Sequence, residues 1–230
     1  HMLQFKYGAD VSLVNAMMNV ILEENLYKQD FLDDMTIGFD QLKEHLKDFK
    51  PEDMAEICGI DAETIREVAR IYANAKSSII FWGMGVSQHV HGTDNVRAMI
   101  SMAMMTGHIG RPGTGLHPLR GQNNVQGTSD VGLIPMMYPD YQPVTNPENK
   151  AKFEKLWGVD NLDPNKGLTV VEIMDAVHDD IIKGMYMQGE NPAMSDPDVN
   201  HAREALAKLE HLVVQDLFVT ETALYADVIL

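Results

Sequence analysis

The sequence predicts an α/β protein of three layers, with helices on both sides of parallel strands. Three observations carry that prediction. Residues 61–107 read as helix, short β-rich run, glycine turn and helix, the grammar of such folds. The same order resumes over residues 169–216. The chain also has 230 residues, 45% of them hydrophobic, enough for a sizeable core.

Taken in order, Asp10 to Glu24 places Val11, Val14, Met18 and Ile21 with Leu22 at three- and four-residue steps, one face of a helix. Asp10 is its expected N-cap. Short helical pieces are expected around Asp30–Met35 and Gln41–Asp48. Pro51 suits a first helical position, with Glu52 and Asp53 complementing the helix dipole. Asp61 to Ala75 is the clearest helix, capped by Asp61 and striped by Ile65, Val68, Ala69 and Tyr72. Cys58, just before it, reads as a core residue. Ser77–Trp82 is a strand that ends at Gly83-Met84-Gly85, and Thr93-Asp94 opens a helix running to Gly107, a natural C′ residue. From Gly107 to Asn149 neither period is sustained. A stretch of that length is functional or a linker, and its apolar and aromatic residues favour the former. Thr169-Val170-Val171-Glu172 is a capping box opening a helix to Lys183. A strand at Met185–Gln188, a turn at Gly189–Pro192, a helix over Val199–Leu209 and a strand at Leu212–Asp216 follow. A last strand starts at Asp227 and stops at Leu230, which reads as the end of an excised fragment. Residues 1–2 read as a tag remnant, residues 3–122 as one α/β domain, and residues 123–230 as part of a second.

Composition excludes several classes. Acidic residues outnumber basic ones 34 to 18, a net charge of −16, so a general nucleic-acid or anionic-membrane binder is not expected. A single cysteine rules out a disulfide framework or a Cys-rich metal site within these residues. No apolar run is long enough for a transmembrane helix, and no signal peptide is read, so a soluble cytoplasmic protein is expected. The G-x-G-x-x-G, Walker A, G-x-S-x-G and H-E-x-x-H motifs are absent.

The local exception to the acidic composition is the most informative feature. The 35 residues from Asn95 to Ser129 contain no Asp or Glu, where the average density would place about five. The same window holds Arg97, His108, Arg111, His117 and Arg120, with His89 and His91 just before it. Such a glycine-rich, arginine-bearing stretch fits an anionic ligand, since glycines admit backbone N–H groups and arginine offers a planar fork. The alternative is an apolar helix that happens to adjoin a glycine-rich turn. Within it, Arg120 and four side-chain amides fall in seven residues, poor core material that suits a pocket read by hydrogen bonds. Two strand-end turns, Trp82–Gln88 and Gln188–Pro192, sit where α/β sheets bind ligands. Glu190, like Asp216 at the next strand end, can accept from a sugar hydroxyl pair or from the N1–H and amino group of guanine. His89 and His91 share a face only in an extended segment and have no third partner nearby, so no metal ligand is assigned.

Four stretches, Trp82–Gln88, His91–Arg97, Thr106–Gly113 and Leu119–Gly127, together resemble the alpha (catalytic) subunit of molybdopterin-dependent formate dehydrogenases. The resemblance extends to the helix with Asn15-Ala16-Met17, to Met187–Pro192, to Val214–Phe218 and to Ala226–Leu230. The Thr-Gly-x-Ile-Gly-x-Pro-Gly loop is shared by many molybdopterin oxidoreductases. Arg120-Gly121-Gln122-Asn123-Asn124-Val125-Gln126-Gly127 is the part that points to the formate branch. The resemblance implies Rossmann-like domains of the formate dehydrogenase/DMSO reductase type, and oxidation of formate to carbon dioxide at molybdenum or tungsten held by two molybdopterin guanine dinucleotides. It further implies that Arg120 is catalytic and that Gly83, Met84, Gln88, Gly121 and Gln122 contact one pterin cofactor. Gly189, Glu190, Asn191, Ser195, Gln215 and Asp216 match positions around the other guanine dinucleotide. The family's [4Fe-4S] cysteines, its Cys or selenocysteine metal ligand and its electron-transfer subunits have no counterpart in these residues, so an inactive internal fragment is expected. Other molybdopterin oxidoreductases, of the nitrate reductase or formylmethanofuran dehydrogenase type, and a non-catalytic nucleotide-binding module are the alternatives.

Overall fold

The computed structural model describes residues 2–230; His1, half of the expected tag remnant, lies outside the described residues. The chain forms two compact units that divide between Val125 and Gln126. Among the described residues no helix is long and apolar enough to cross a membrane.

The first unit is built around helix α1 (Asp10–Glu23). The sequence shows one apolar stripe there, but every residue from Leu13 to Ile21 is buried, so the helix is enclosed on all sides. Asp10 is its first residue and buried; Ala9 holds the cap position without a side-chain bond, which corrects the expected N-cap. Helices α2 (Gln29–Met35), α3 (Phe39–Leu46), α4 (Pro51–Cys58) and α5 (Ala62–Asn74) follow. Two polar residues of α1 tie it to the end of α3: Asn19 Nδ2 donates to the Leu46 carbonyl at 2.9 Å, and Asn15 Nδ2 lies 3.3 Å from His45 Nε2. Pro51 starts α4, and Asp61 caps α5 by accepting from the Thr64 N–H at 2.9 Å, both as the sequence predicts. Cys58 is fully buried in the same core, where desolvation pushes its thiol pKa up and leaves it unreactive.

Strand β1 (Ile79–Trp82) leads into a single helical turn, α6 (Met84–Ser87), and then α7 (Gly92–Thr106). Gly107 closes α7 with φ of +65°, a conformation a glycine adopts without a Cβ penalty. Strand β2 (Gly115–Pro118) returns parallel to β1, Ile79 opposite Gly115 and Trp82 opposite Pro118. The first part of the long aperiodic stretch therefore contains a strand that its glycines and prolines conceal.

Two of the basic residues in the acid-free window are structural. The His108 ring is buried, with Nε2 3.0 Å from the Tyr72 carbonyl and Nδ1 3.0 Å from Nη2 of Arg111. A carbonyl only accepts and a guanidinium only donates, so the ring is neutral with its proton on Nε2. Arg111 also donates to the carbonyls of Gly107 and Lys76 at 3.0 and 2.8 Å. The pair joins the ends of α5 and α7, and its hydrogen bonds are spent on the fold.

In the second unit, α8 (Val125–Asp130) precedes a small hairpin of β3 (Met137–Tyr138) and β4 (Gln142–Pro143), turned by Asp140 and Tyr141 at φ of +61° and +53°. Tyr138 packs on Phe153 and Trp157 of α9 (Pro147–Trp157), ring centroids 4.7 and 5.9 Å away. A three-stranded parallel sheet follows, in the order β5 (Gly184–Gln188), β6 (His211–Gln215) and β7 (Val228–Ile229). Met187, Leu212 and Val214 pack against Met174 and Val177 of α10 (Val170–His178), Ala193 of α11 (Pro192–Ser195) and Ala205 and Leu206 of α12 (Val199–Lys208). The capping box at Thr169 forms, its N–H donating to Glu172 at 2.7 Å. The helix stops at His178 and not at Lys183: Asp180 takes φ of +57°, and the N–H groups of Ile181 and Ile182 both turn back to the Ala176 carbonyl.

His108 supplies a pH test. Desolvation first, then the nearby guanidinium, holds its pKa below the ordinary 6.5. The unfolded chain then binds the extra proton more readily, so this stability is complete above about pH 6.5 and is lost as pH falls below it. His108→Ala is expected to cost about 2 kcal/mol at pH 7.5 and to flatten stability between pH 7.5 and 5.5, read by urea denaturation at both ends.

Candidate functional site

Parallel pairing decides which residues meet in the first unit. The Leu119 N–H donates to the Trp82 carbonyl at 2.6 Å, extending the β1–β2 ladder one residue beyond the strands. Both strands therefore end at one edge. Residues 83–88 leave it from β1 and residues 120–122 from β2. A Cβ on Gly83 would lie 3.6 Å from the Leu119 carbonyl oxygen, and one on Gly121 would lie 2.8 Å from Cε and 3.2 Å from Sδ of Met84. Gly83, Met84, Arg120 and Gly121 thus share one edge, as the sequence groups them, with Gln88 and Gln122 on the same two segments.

Arg120 is exposed and has neither a hydrogen bond nor an ion pair among the described residues. The side chains of Gln88 and Gln122 are likewise exposed and without a hydrogen bond among the described residues. The amide-rich stretch is therefore an open, polar edge and not an enclosed pocket within this unit, because residues 120–124 bring no apolar side chain to bury. Chemically, this edge presents a guanidinium fork and two amides, donors suited to a carboxylate or phosphate. The His89 ring is engaged elsewhere, its Nε2 2.7 Å from the Gly85 carbonyl.

The turn itself is braced from α7, by two residues of the His91–Arg97 stretch to which the sequence assigned no role. Asn95, 4% exposed, donates from Nδ2 to the Val86 carbonyl at 2.9 Å. At Gly92 a Cβ would fall 1.9 Å from the Ser87 carbonyl oxygen, so only glycine allows that approach.

The second unit repeats the arrangement. Gly189, at φ of +65°, donates its N–H to the Gln215 carbonyl at 2.9 Å, joining the exits of β5 and β6. Gln188, Gly189, Gln215, Asp216, Leu217 and Leu230 line an open cleft of about 560 Å³ at that edge. Gln215 accepts from the Tyr186 hydroxyl, and one carboxylate oxygen of Asp216 takes the Leu217 N–H at 2.6 Å. Glu190 is exposed and has no hydrogen bond among the described residues. Its charge, after burial, raises the pKa of Asp196. Asn191 and Ser195 are engaged internally: Asn191 Oδ1 accepts from the N–H and hydroxyl of Thr222 at 3.1 and 2.7 Å, its Nδ2 donates to Glu221 at 2.8 Å, and the Ser195 hydroxyl donates to the Asn191 carbonyl at 3.1 Å. Thr222 is completely buried and had no signal in the sequence.

The model of the molybdopterin oxidoreductase family matches residues 1–230. The chain belongs to the molybdopterin oxidoreductases. It is 50% identical over 228 residues to the F420-dependent formate dehydrogenase subunit alpha of Methanocaldococcus jannaschii, covering 99% of this chain and 33% of that one. It is 44% identical over 225 residues to formate dehydrogenase H of Escherichia coli, covering 98% and 32%. The assimilatory nitrate reductase catalytic subunit of Bacillus subtilis is 37% identical, covering 99% and 32%. The chain thus spans about a third of the length of these relatives. The solved structure of acetylene hydratase from Pelobacter acetylenicus superposes with a TM-score of 0.71 at 21% identity, covering 97% of this chain and 33% of that one. The mixed helix–strand architecture with parallel sheets is that of this family, as the sequence predicts.

The family implies a molybdopterin cofactor, and both edges fit one. At the first edge the cation and amides around Gly121 are unengaged, and at the second Gly189 and Asp216 line an open cleft, with Glu190, next in the chain after Gly189, unpaired among the described residues. Asn191→Ala would leave the buried Thr222 donors unpaired. It is expected to cost about 2–3 kcal/mol, measured by urea denaturation of the second unit's tyrosine and tryptophan fluorescence.

Proposed function

We propose that the chain is the portion of a formate dehydrogenase catalytic subunit that carries the substrate arginine and parts of two pterin dinucleotide sites. On this reading residues 3–122 and 123–230 belong to two α/β domains, each serving one molybdopterin guanine dinucleotide. The observation that carries it is Arg120: an unpaired guanidinium in an acid-free stretch, at the edge where the Met84 turn also emerges. The 50% and 44% identities to formate dehydrogenases support formate as the substrate.

Formate leaves as carbon dioxide after losing two electrons and one proton. The molybdenum or tungsten centre, when bound, supplies the two-electron acceptor. Arg120 contributes a fixed cation whose paired N–H groups hold the formate carboxylate and orient its C–H bond. Gly121 keeps the chain beside Arg120 close to Met84, while Gln88 and Gln122 offer amides to a pterin edge. In the second unit, Glu190 and Asp216 are suited to accept from the guanine edge or ribose hydroxyls. A [4Fe-4S] cluster, its cysteines and electron-transfer subunits belong to other parts of the assembled, cytoplasmic enzyme.

The nitrate reductase relative favours a second reading, another molybdopterin oxidoreductase with an anionic substrate. Assays of the full-length enzyme with formate and with nitrate, using a viologen dye, separate the two. In the full-length enzyme Arg120→Ala is expected to lower formate turnover by at least about 100-fold with metal and pterin content unchanged, and Arg120→Lys is expected to restore only part of it. Metal loss in Arg120→Ala would make the residue a cofactor anchor. The 230-residue chain alone is expected to show no formate-dependent dye reduction, and GDP titration of it reports whether a dinucleotide half-site binds by itself.

A further inference from the structure

Asn95 is a buried amide whose one hydrogen bond in the structure reaches out of its helix, to the carbonyl of Val86 at 2.9 Å. Burying an amide gains less than burying an alkyl group of equal size, and its advantage is direction. Its target is the short turn that carries Met84 and Gln88. Gly92, one helical turn earlier on α7, meets the same turn by backbone approach, a Cβ there falling 1.9 Å from the Ser87 carbonyl oxygen. The other bonds of the turn are local, among them the Val86 N–H to the Gly83 carbonyl at 3.1 Å, the Gln88 N–H to the Met84 carbonyl at 2.8 Å, and the His89 ring to the Gly85 carbonyl at 2.7 Å. Those bonds shape the turn without fixing where it stands. Asn95 and Gly92 fix it against the 15-residue helix that connects the two parallel strands.

We infer that Asn95 is a positioning residue for the pterin cofactor: its amide, donated to Val86, sets the place of Met84 and Gln88 beside Gly121 and Arg120. The inference rests on the functional reading above. A carboxylate at position 95 keeps the shape but has no proton to donate to a carbonyl, so Asn95→Asp removes the bond and adds repulsion. Asn95→Ala removes it without charge, and Gly92→Ala displaces the same turn by steric force.

The test uses the full-length holoenzyme, wild type and the three variants. Pterin and metal content, the electron paramagnetic resonance spectrum of the partly reduced enzyme, and kcat and KM for formate are measured. The expected result is a kcat lowered by about 10- to 100-fold, an altered spectrum or faster cofactor loss, and a formate KM within about threefold of wild type, because Arg120 stands on the other strand exit. Asn95→Ala carries the test should the charged variant fail to accumulate, and Gly92→Ala should both fail. Variants that melt at lower temperature yet keep the wild-type spectrum, cofactor content and kcat would make Asn95 a packing residue and overturn the inference. A wild-type enzyme without pterin would instead overturn the functional reading, a failure visible before any variant is made.

Discussion

Everything at the first unit's edge depends on β1 and β2 running parallel. An antiparallel pair would send the exits of the two strands to opposite ends, and residues 83–88 would never meet residues 120–122. Parallel pairing requires a crossover, and α7 supplies it. The helix that makes the topology possible is also the one that braces the turn, through Asn95 and Gly92. Fold and site are in this sense one constraint. The second unit obeys it too, with α11 and α12 as the crossover between β5 and β6 and Gly189 tied to Gln215 at the exit.

The arginines show how charge is distributed around that constraint. Arg66 and Arg70, on α5, are surrounded by carboxylates and are held by Glu52, Glu23, Glu24 and Glu63. Such pairs on a strongly acidic surface relieve repulsion more than they add stability. Arg111 is held by carbonyls and the His108 ring. Arg120 differs because no acid lies within the stretch around it, so its fork is left unneutralised. Removing carboxylates from 35 consecutive residues in a chain of net charge −16 is what keeps one guanidinium available.

The repeated helix–strand–turn units were legible because their signals are local: an Asp61 cap, a Gly107 stop, a Thr169 box, apolar runs ending at glycines. What was not legible depended on distant partners. The all-round burial of α1 comes from α3, α4, α5 and α7 surrounding it, and a single stripe in the sequence cannot report four neighbours. Strand β2 contains a glycine and a proline in four residues and is a strand only because β1 lies beside it. The aromatic cluster of Tyr138, Phe153 and Trp157 joins a hairpin to a helix that no motif announced. Asn95 was hidden for another reason: an Asn in the first turns of a helix reads as solvated, and only the packing of α6 against α7 shows it buried. The grouping of candidate residues at strand ends was legible, but the division of labour among them was not.

That division follows from counting donors and acceptors. Asn191, Ser195, His89, His108 and Arg111 each have partners within their own unit, and their chemistry is absorbed in holding backbone. Arg120, Gln88, Gln122 and Glu190 have none among the described residues. A polar group without a partner at a strand end is in water or on a ligand. The unengaged groups also differ in kind between units. The first unit offers a cation and amides, a guanidinium fork beside N–H donors that suit a carboxylate or phosphate. The second offers a free carboxylate at Glu190 and an open oxygen on Asp216, acceptors matched to N–H and hydroxyl donors. Donors at the strand exit of one unit and acceptors at that of the other let each select a different kind of polar partner.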